Sequence, residues 1–455
     1  MHDARTLIQT FQAGKISRRN FVTRALALGI SLGGIEALLQ SCGSSGGTTG
    51  KAAIKWSTWG TPDQMKTVQQ FTDDFNHQHS NINAQLALIP SVDIYESKIL
   101  TEVNGGNAPD LFYLQDLSIS KFRQDKILAE LTPLLNSSAS LSKSDQFFNG
   151  LWGTSKSADG KIWGVPNDCN PLIIWYNEDL LQKSGITESP ADLQQQGKWT
   201  WDVFLNMVKK IRAKGYQGYI VDNSWALYIY PWITTNGGSV YADNGNGSFI
   251  ADQDPKAVEA LRWLSSNIQS QTFTLSGALP KGQGGDVVFE NNRVGFFTGA
   301  RWNWPTFHTT PGLKYNIVTW PTNTGKKIEP AGIAVSYFVI SSRTQYKDAA
   351  FEFLTNYVSK SGQRYRLKGE GVLPSIRGAD DIVDHDPTNW QAFMDARDNG
   401  YALFTAEAGT PGLSQDVNQM LDDIWYKNAD VATTLGNVAK VANPRIAKAR
   451  SDGLF

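Results

Sequence analysis

Two cysteines, five histidines and fifteen tryptophans set the chemistry open to this chain of 455 residues. A zinc or iron–sulfur site needs three or four Cys, His or carboxylate ligands at short spacing, and Cys42 and Cys169 lie far apart. His77 and His79, two residues apart, would point to different sides of a helix and read as solvated surface. No metal and no cofactor are expected. The stretch Tyr241–Gly247 lacks the spaced carboxylates and closing Glu of a calcium loop and reads as a polar hairpin turn. There is no Gly-x-Ser-x-Gly elbow and no Cys/His pair arranged for nucleophilic attack. What the chain does have is flat aromatic surface, with 15 Trp and 15 Tyr. Trp59 follows the first strand of the body and Trp232 precedes Asn236-Gly237-Gly238. Both are candidate stacking platforms, with core packing as the alternative for each.

Cys42 has a different use. Ser17-Arg18-Arg19-Asn20-Phe21-Val22 has the form of a twin-arginine export signal, and the apolar run Ala25–Leu39 follows it. That run falls short of the ~20 residues a bilayer span requires, so residues 1–41 read as a signal peptide. Leu39-Gln40-Ser41-Cys42 resembles a lipobox, although Gln40 and Glu36 depart from the usual pattern. Cys42 is therefore the lipidation candidate, and residues 42–51, rich in Gly and Ser, a flexible tether. The expected location is the outer face of the cell membrane or the periplasm.

The elements beyond the tether alternate in type. Ala53–Ser57 and Ala84–Ile89 read as strands flanking a helix that begins at Thr61-Pro62. Leu111–Leu114 is a further strand. Thr200 caps a helix with Phe204, Met207, Val208 and Ile211 on one face. Another helix starts at Asp254-Pro255, with Val258, Leu261, Leu264 and Ile268 inward. The body is α/β, without repeats or heptads, and its length suggests two domains. With 42 basic and 43 acidic residues it has no electrostatic footprint for nucleic acid.

Three blocks carry a resemblance. Ala108-Pro109-Asp110-Leu111-Phe112-Tyr113-Leu114-Gln115-Asp116 is followed by Ile127–Leu134. Gly160-Lys161-Ile162-Trp163-Gly164-Val165-Pro166-Asn167-Asp168 then leads into Trp175-Tyr176-Asn177-Glu178-Asp179-Leu180-Leu181. Asn236-Gly237-Gly238, Asp254–Ile268, Phe289–Trp304 and Asp348–Val358 come in the same order as later blocks of the same family. Together they resemble the family 1 extracellular solute-binding proteins, the maltose-binding-protein-like receptors of ABC importers, over most of Ala53 to Pro374. The last eighty residues match only loosely.

The resemblance implies a type II periplasmic-binding-protein-like fold: two α/β lobes, a cleft between them, and closure by hinge motion. Crossovers are expected near Pro166 and Ala331–Val335, with a return near Gly369–Ser375. Lobe 1 would then hold 52–165 plus 334–372, and lobe 2 would hold 166–333 plus 373–455. It also implies ligand contacts from Asp116, Asp168, Asn170, Tyr176 and Trp302, with Trp304 in reserve because Arg301 intrudes in the motif; Asn177 is expected to support local backbone. The implied partners are a small solute, most readily a mono- or oligosaccharide, and the membrane permease, with the receptor a monomer and not an enzyme. Polyol and glycerol phosphate stay open, the latter through Arg301. Two rivals remain: a secreted glycoside hydrolase using Asp116 and Asp168 as acid and base, and an adhesive surface lipoprotein.

Overall fold

Each of two five-stranded sheets is completed by the same few residues of chain. In the computed structural model, which describes residues 51–60, 62 and 65–455, the first sheet has the order β2-β1-β3-β10-β4 and the second β7-β6-β8-β5-β9. The first comprises β1 (Ala52–Trp59), β2 (Ile82–Ile89), β3 (Leu111–Gln115), β4 (Val165–Pro171) and β10 (Ile333–Ile340). The second comprises β5 (Ile173–Asn177), β6 (Gln217–Val221), β7 (Phe273–Leu275), β8 (Val294–Gly299) and β9 (Tyr315–Val318). The expected export signal, Cys42 and the tether up to residue 50 lie outside the described residues. Among those described, no helix is long and apolar enough to cross a membrane.

Parallel pairing of β1 with β2 and β3 requires long connections. Helices α1 (Lys66–Gln78) and α2 (Val92–Asn104) supply them, and α3 (Asp116–Gln124) follows β3. α1 begins at Lys66 instead of the expected Pro62. Gly60, at φ +130°, turns the chain so tightly above Met65 that an added Cβ would fall 2.9 Å from the Met65 side chain. In the second half, α4 (Trp201–Arg212) is capped by the Thr200 hydroxyl, buries Phe204, Val208 and Ile211, and ends on Lys209, Lys210 and Arg212, which suit the helix C-terminus. α5 (Pro255–Gln269) is capped by Asp254, which accepts from the Lys256 and Ala257 amides. At the expected hairpin, Tyr241 bridges Phe249 and the left-handed positions are Asp243 and Asn244, at φ 51° and 53°.

The halves are joined at Leu172, the single residue between β4 and β5, and again between β9 and β10; the Leu172 amide donates to the Gly332 carbonyl at 2.9 Å. The first crossover therefore comes six residues later than expected, because Val165–Pro171 completes the first sheet against β10. The return also comes later. Leu373 still pairs with Cys169 and Ile376 with Phe147, so the chain remains with the first half through the expected Gly369–Ser375 boundary.

Three further helices of the first half and hinge are α6 (Lys347–Val358), α7 (Lys360–Leu367) and α8 (Gln391–Asn399). α8 packs on both β4 and β5, across the crossover. The chain then runs through α9 (Thr405–Ala408) into α10 (Leu413–Lys427) and α11 (Val431–Ser451), which pack on each other and on α5. Arg397 of α8, 1% exposed, forms a forked bond to Asp380 at 2.7 and 2.8 Å and lies 3.8 Å over the Phe148 ring. Losing the guanidinium would take the partner from the Phe148 ring and the Pro374 carbonyl, whereas Asp380, 37% exposed, can turn to water. Arg397→Ala is expected to lower unfolding free energy by about 1–3 kcal/mol, measured by urea denaturation; a loss below about 0.5 kcal/mol would show that these contacts contribute little.

Candidate functional site

Open α/β sheets place ligand contacts beyond the carboxyl ends of their strands. In the first sheet that edge carries Trp59, Ile89 and Gln115, together with the ends of β4 and the start of β10. In the second it carries the chain leaving Val221, Leu275 and Gly299. Since Pro171 ends β4 and Ile173 begins β5, the two edges adjoin at the crossover.

A pocket of about 180 Å³ opens at the first edge, lined by Trp59, Val92, Tyr95, Glu96, Leu114, Gln115 and Ser118. Trp59 is partly exposed and stands edge-on to Tyr95 at 5.1 Å and Tyr113 at 5.4 Å, so its ring is held by its neighbours. Tyr95 is fixed in turn: its hydroxyl donates to the Ser57 carbonyl at 2.9 Å and accepts from the Tyr113 amide at 3.1 Å. Glu96 accepts from the Ser118 hydroxyl at 2.6 Å, and Gln115 is exposed. An indole face, a carboxylate and an amide, with no cation in the lining, suit a neutral ring with apolar faces and hydroxyl edges. Tyr95, Glu96, Gln115 and Ser118 were not among the sequence candidates.

The remaining candidates are placed as follows. Asp116 is one residue past the pocket and points the other way, only 2% exposed. Its carboxylate accepts from the Leu403 amide at 3.3 Å; Tyr337 lies beside it, but the Tyr337 hydroxyl donates to the Leu151 carbonyl. Burial pushes the Asp116 carboxyl up to about 7. Asp168 accepts from Ser336 at 2.8 Å and Asn167 at 2.6 Å, and Arg366 is 4.0 Å away. Burial raises its carboxyl, opposed by Arg366 and Ser336. Asn170 is 7% exposed, next to the crossover, and its Oδ1 has no hydrogen-bond partner.

Tyr176 and Trp232 are corrected to core residues. Tyr176 is 1% exposed beside Phe296, and Trp232 is fully buried among Trp201, Phe204, Trp263 and Trp320. Neither offers a ring face to a solute. Asn177 caps the helix Glu178–Lys183 through the Leu180 amide, a local backbone role. Trp302 is 40% exposed in the segment after β8, whereas the reserve candidate Trp304 is 7% exposed and donates to Asp386 at 2.8 Å. Arg301 is withdrawn as an anion receptor. It is 1% exposed, 3.7 Å from Asp384 and 4.6 Å over the Trp304 ring, and burial pushes its guanidinium down to about 10. Among the described residues no group of three His, Cys, Asp or Glu is placed to hold a metal ion.

Comparison with known proteins bears on the family and the fold. Residues 58–364 match the family described as bacterial extracellular solute-binding protein. The arabinooligosaccharide-binding protein of Bacillus subtilis is 24% identical over 78% of this chain and 77% of its own. The sn-glycerol-3-phosphate-binding periplasmic protein of Brucella melitensis is 23% identical over 67% of this chain and 72% of its own. Among solved structures, an ABC substrate-binding protein from Listeria monocytogenes in complex with cycloalternan superposes with a TM-score of 0.73, at 20% identity, covering 87% of this chain and 99% of that one. The fold is thus the two-lobed, type II periplasmic-binding-protein-like one.

The raised Asp116 pKa has a definite sign. The folded state holds this proton more tightly than the unfolded chain, so stability present near pH 4 falls as pH rises through about 7. The full effect is on the order of 4 kcal/mol. Asp116→Asn is expected to gain thermal stability relative to the parent as pH rises from about 4 to 8; a difference in melting temperature that stays constant with pH would contradict this.

Proposed function

The chain belongs to the bacterial extracellular solute-binding proteins, and we propose on that footing that it is the receptor of an ABC importer, capturing a carbohydrate between its two lobes and delivering it to the membrane permease. The observation that carries the carbohydrate reading is the pocket at the first sheet edge, where Trp59 offers a stacking face beside Glu96 and Gln115. At about 180 Å³ it is smaller than the ~300–1,000 Å³ of sites that enclose whole small ligands. It therefore suits one ring of a longer molecule, with the second lobe meeting the rest from the segment that carries the exposed Trp302. The Bacillus subtilis relative is named for an oligosaccharide of this kind.

Glycerol phosphate is less well supported although one relative is named for it. A phosphate needs a cation, the pocket lining has none, and Arg301 is already buried against Asp384. Hydrolysis is likewise less well supported, because both carboxylates that would serve it are engaged, Asp116 by Leu403 and Asp168 by Ser336, Asn167 and Arg366. Export through Arg18-Arg19, lipid attachment at Cys42 and a monomeric state complete the proposal. Mass analysis of the mature N-terminus decides the anchor: an unmodified Cys42 removes it and leaves the receptor.

Isothermal titration against a panel of neutral oligosaccharides is expected to give saturable heat with at least one. Trp59→Ala is then expected to weaken binding about tenfold, the equivalent of ~1.4 kcal/mol and within the range of one aromatic stack. Glu96→Gln should weaken it too while Trp232→Phe should not. A panel without heat would sink the carbohydrate reading, and a Trp59→Ala protein binding at full affinity would move the site elsewhere.

A further inference from the structure

The last fifty-odd residues are where the family blocks are weakest, and the structure gives them a distinct connection. α3 of the first lobe presents Asp116, Ser120 and Arg123 at spacings that share one helix face. All three reach the last part of the chain. Asp116 accepts from the Leu403 amide at 3.3 Å, the Ser120 hydroxyl donates to the Ala408 carbonyl at 2.5 Å, and Arg123 donates to the Leu454 and Gly453 carbonyls at 2.6 and 3.1 Å. The Arg123 guanidinium also lies 5.0 Å over the Trp163 ring.

The same segment is fastened to the second lobe. Glu407 of α9 is fully buried and accepts from the hydroxyls of Tyr230 and Tyr241, both in the second lobe's core. Between the two contact points with α3, helices α10 and α11 pack on α5, and Arg445 ties them together through Asp416 and the Pro411 carbonyl. Residues 403–408 and 453–454 thus bond to one lobe while the helices between them belong to the other.

We propose that residues 403–455 form a strap across the two lobes, and that the polar face of α3 latches it so as to hold the binding edges of the lobes together. The latch begins at the pocket edge of α3: Asp116 follows Gln115, which lines the pocket, and its side chain turns from the pocket into the protein to meet the Leu403 amide. Lobe separation breaks these bonds, and the population of the closed arrangement, with it the apparent affinity for solute, depends on their strength. The strap rests on the two-lobed reading of the fold and not on the identity of the solute.

The test uses the unliganded, full-length protein, so that failure of the carbohydrate reading does not touch it. Ser120→Ala, Arg123→Ala and the double variant lie outside the pocket. The expected result is a larger radius of gyration by small-angle scattering and faster hydrogen exchange at Leu403, by about tenfold in the double variant for the loss of its supporting bonds, while the amides of β10 keep their protection. Unchanged scattering and Leu403 exchange would overturn the proposal. So would equal loss of protection in β10, which would show general destabilisation instead of an opened latch. A smaller radius would overturn it as well, since the latch would then hold the lobes apart.

Discussion

The relation of the two sheets depends on the shortness of the first crossover, Leu172, whose amide is tied to the second crossover through the Gly332 carbonyl. One residue links β4 to β5, so the chain has no slack with which to place the second sheet independently of the first. The dependence runs both ways. β10 lies between β3 and β4 although all five strands of the second sheet precede it in sequence, and its Tyr337, Phe338, Val339 and Ile340 are fully buried in the first half. Without this strand the first sheet would expose unpaired edges of β3 and β4 and lose its central apolar layer. With one residue between β4 and β5, the site edges adjoin.

That constraint divides the aromatic residues between packing and contact. Trp56, Trp175, Trp201, Trp232 and Trp320 sit inside the two halves, the first four against several rings and Trp320 against Trp232, and contribute burial. Trp59 is different because it ends β1 at the open edge, where Tyr95 and Tyr113 support two of its sides and leave the pocket side free. A ring held by other rings loses little freedom when a solute stacks on it, which favours binding without reorganisation.

Much of the architecture was legible before the fold was seen, wherever a local physical signal existed. The caps at Thr200 and Asp254 and the helical faces behind them are set by a few adjacent residues and fell where periodicity placed them. Trp59 was legible as the residue leaving the first strand. Gln115 was not, because Leu111–Leu114 is buried on both faces and a continuous apolar run carries no phase. Asp116, the next residue, turns its side chain into the protein. The first crossover, which the resemblance put near Pro166, lies beyond Pro171 because Val165–Pro171 forms β4, an edge strand, where proline is tolerated. Glu96 and Ser118 had no signal, since a contact between α2 and α3 comes only from tertiary packing.

Three buried guanidiniums show how the parts furthest apart in sequence are held in register. Arg366 reaches Asp168 and the Asn167 carbonyl, Arg397 grips Asp380, and Arg301 faces Asp384. Each is 1% exposed; Arg366 joins α7 to β4, Arg301 joins the segment after β8 to Asp384, and Arg397, paired with Asp380 within the late chain, reaches back to the Phe148 ring. Replacing such pairs by apolar residues is often neutral for stability, so net stabilisation is a poor explanation for three of them. Their geometry is the better one. A guanidinium offers fixed donor directions, as in the forked Arg397–Asp380 bond, whereas an apolar side chain in the same place would tolerate sliding. A receptor that works by hinge motion needs lobes that move as rigid bodies and a crossover region that does not creep. Directional guanidinium contacts beside the crossovers meet that need, and they leave motion to the few bonds on α3, which are buried at Asp116 and Ser120 and more open at Arg123.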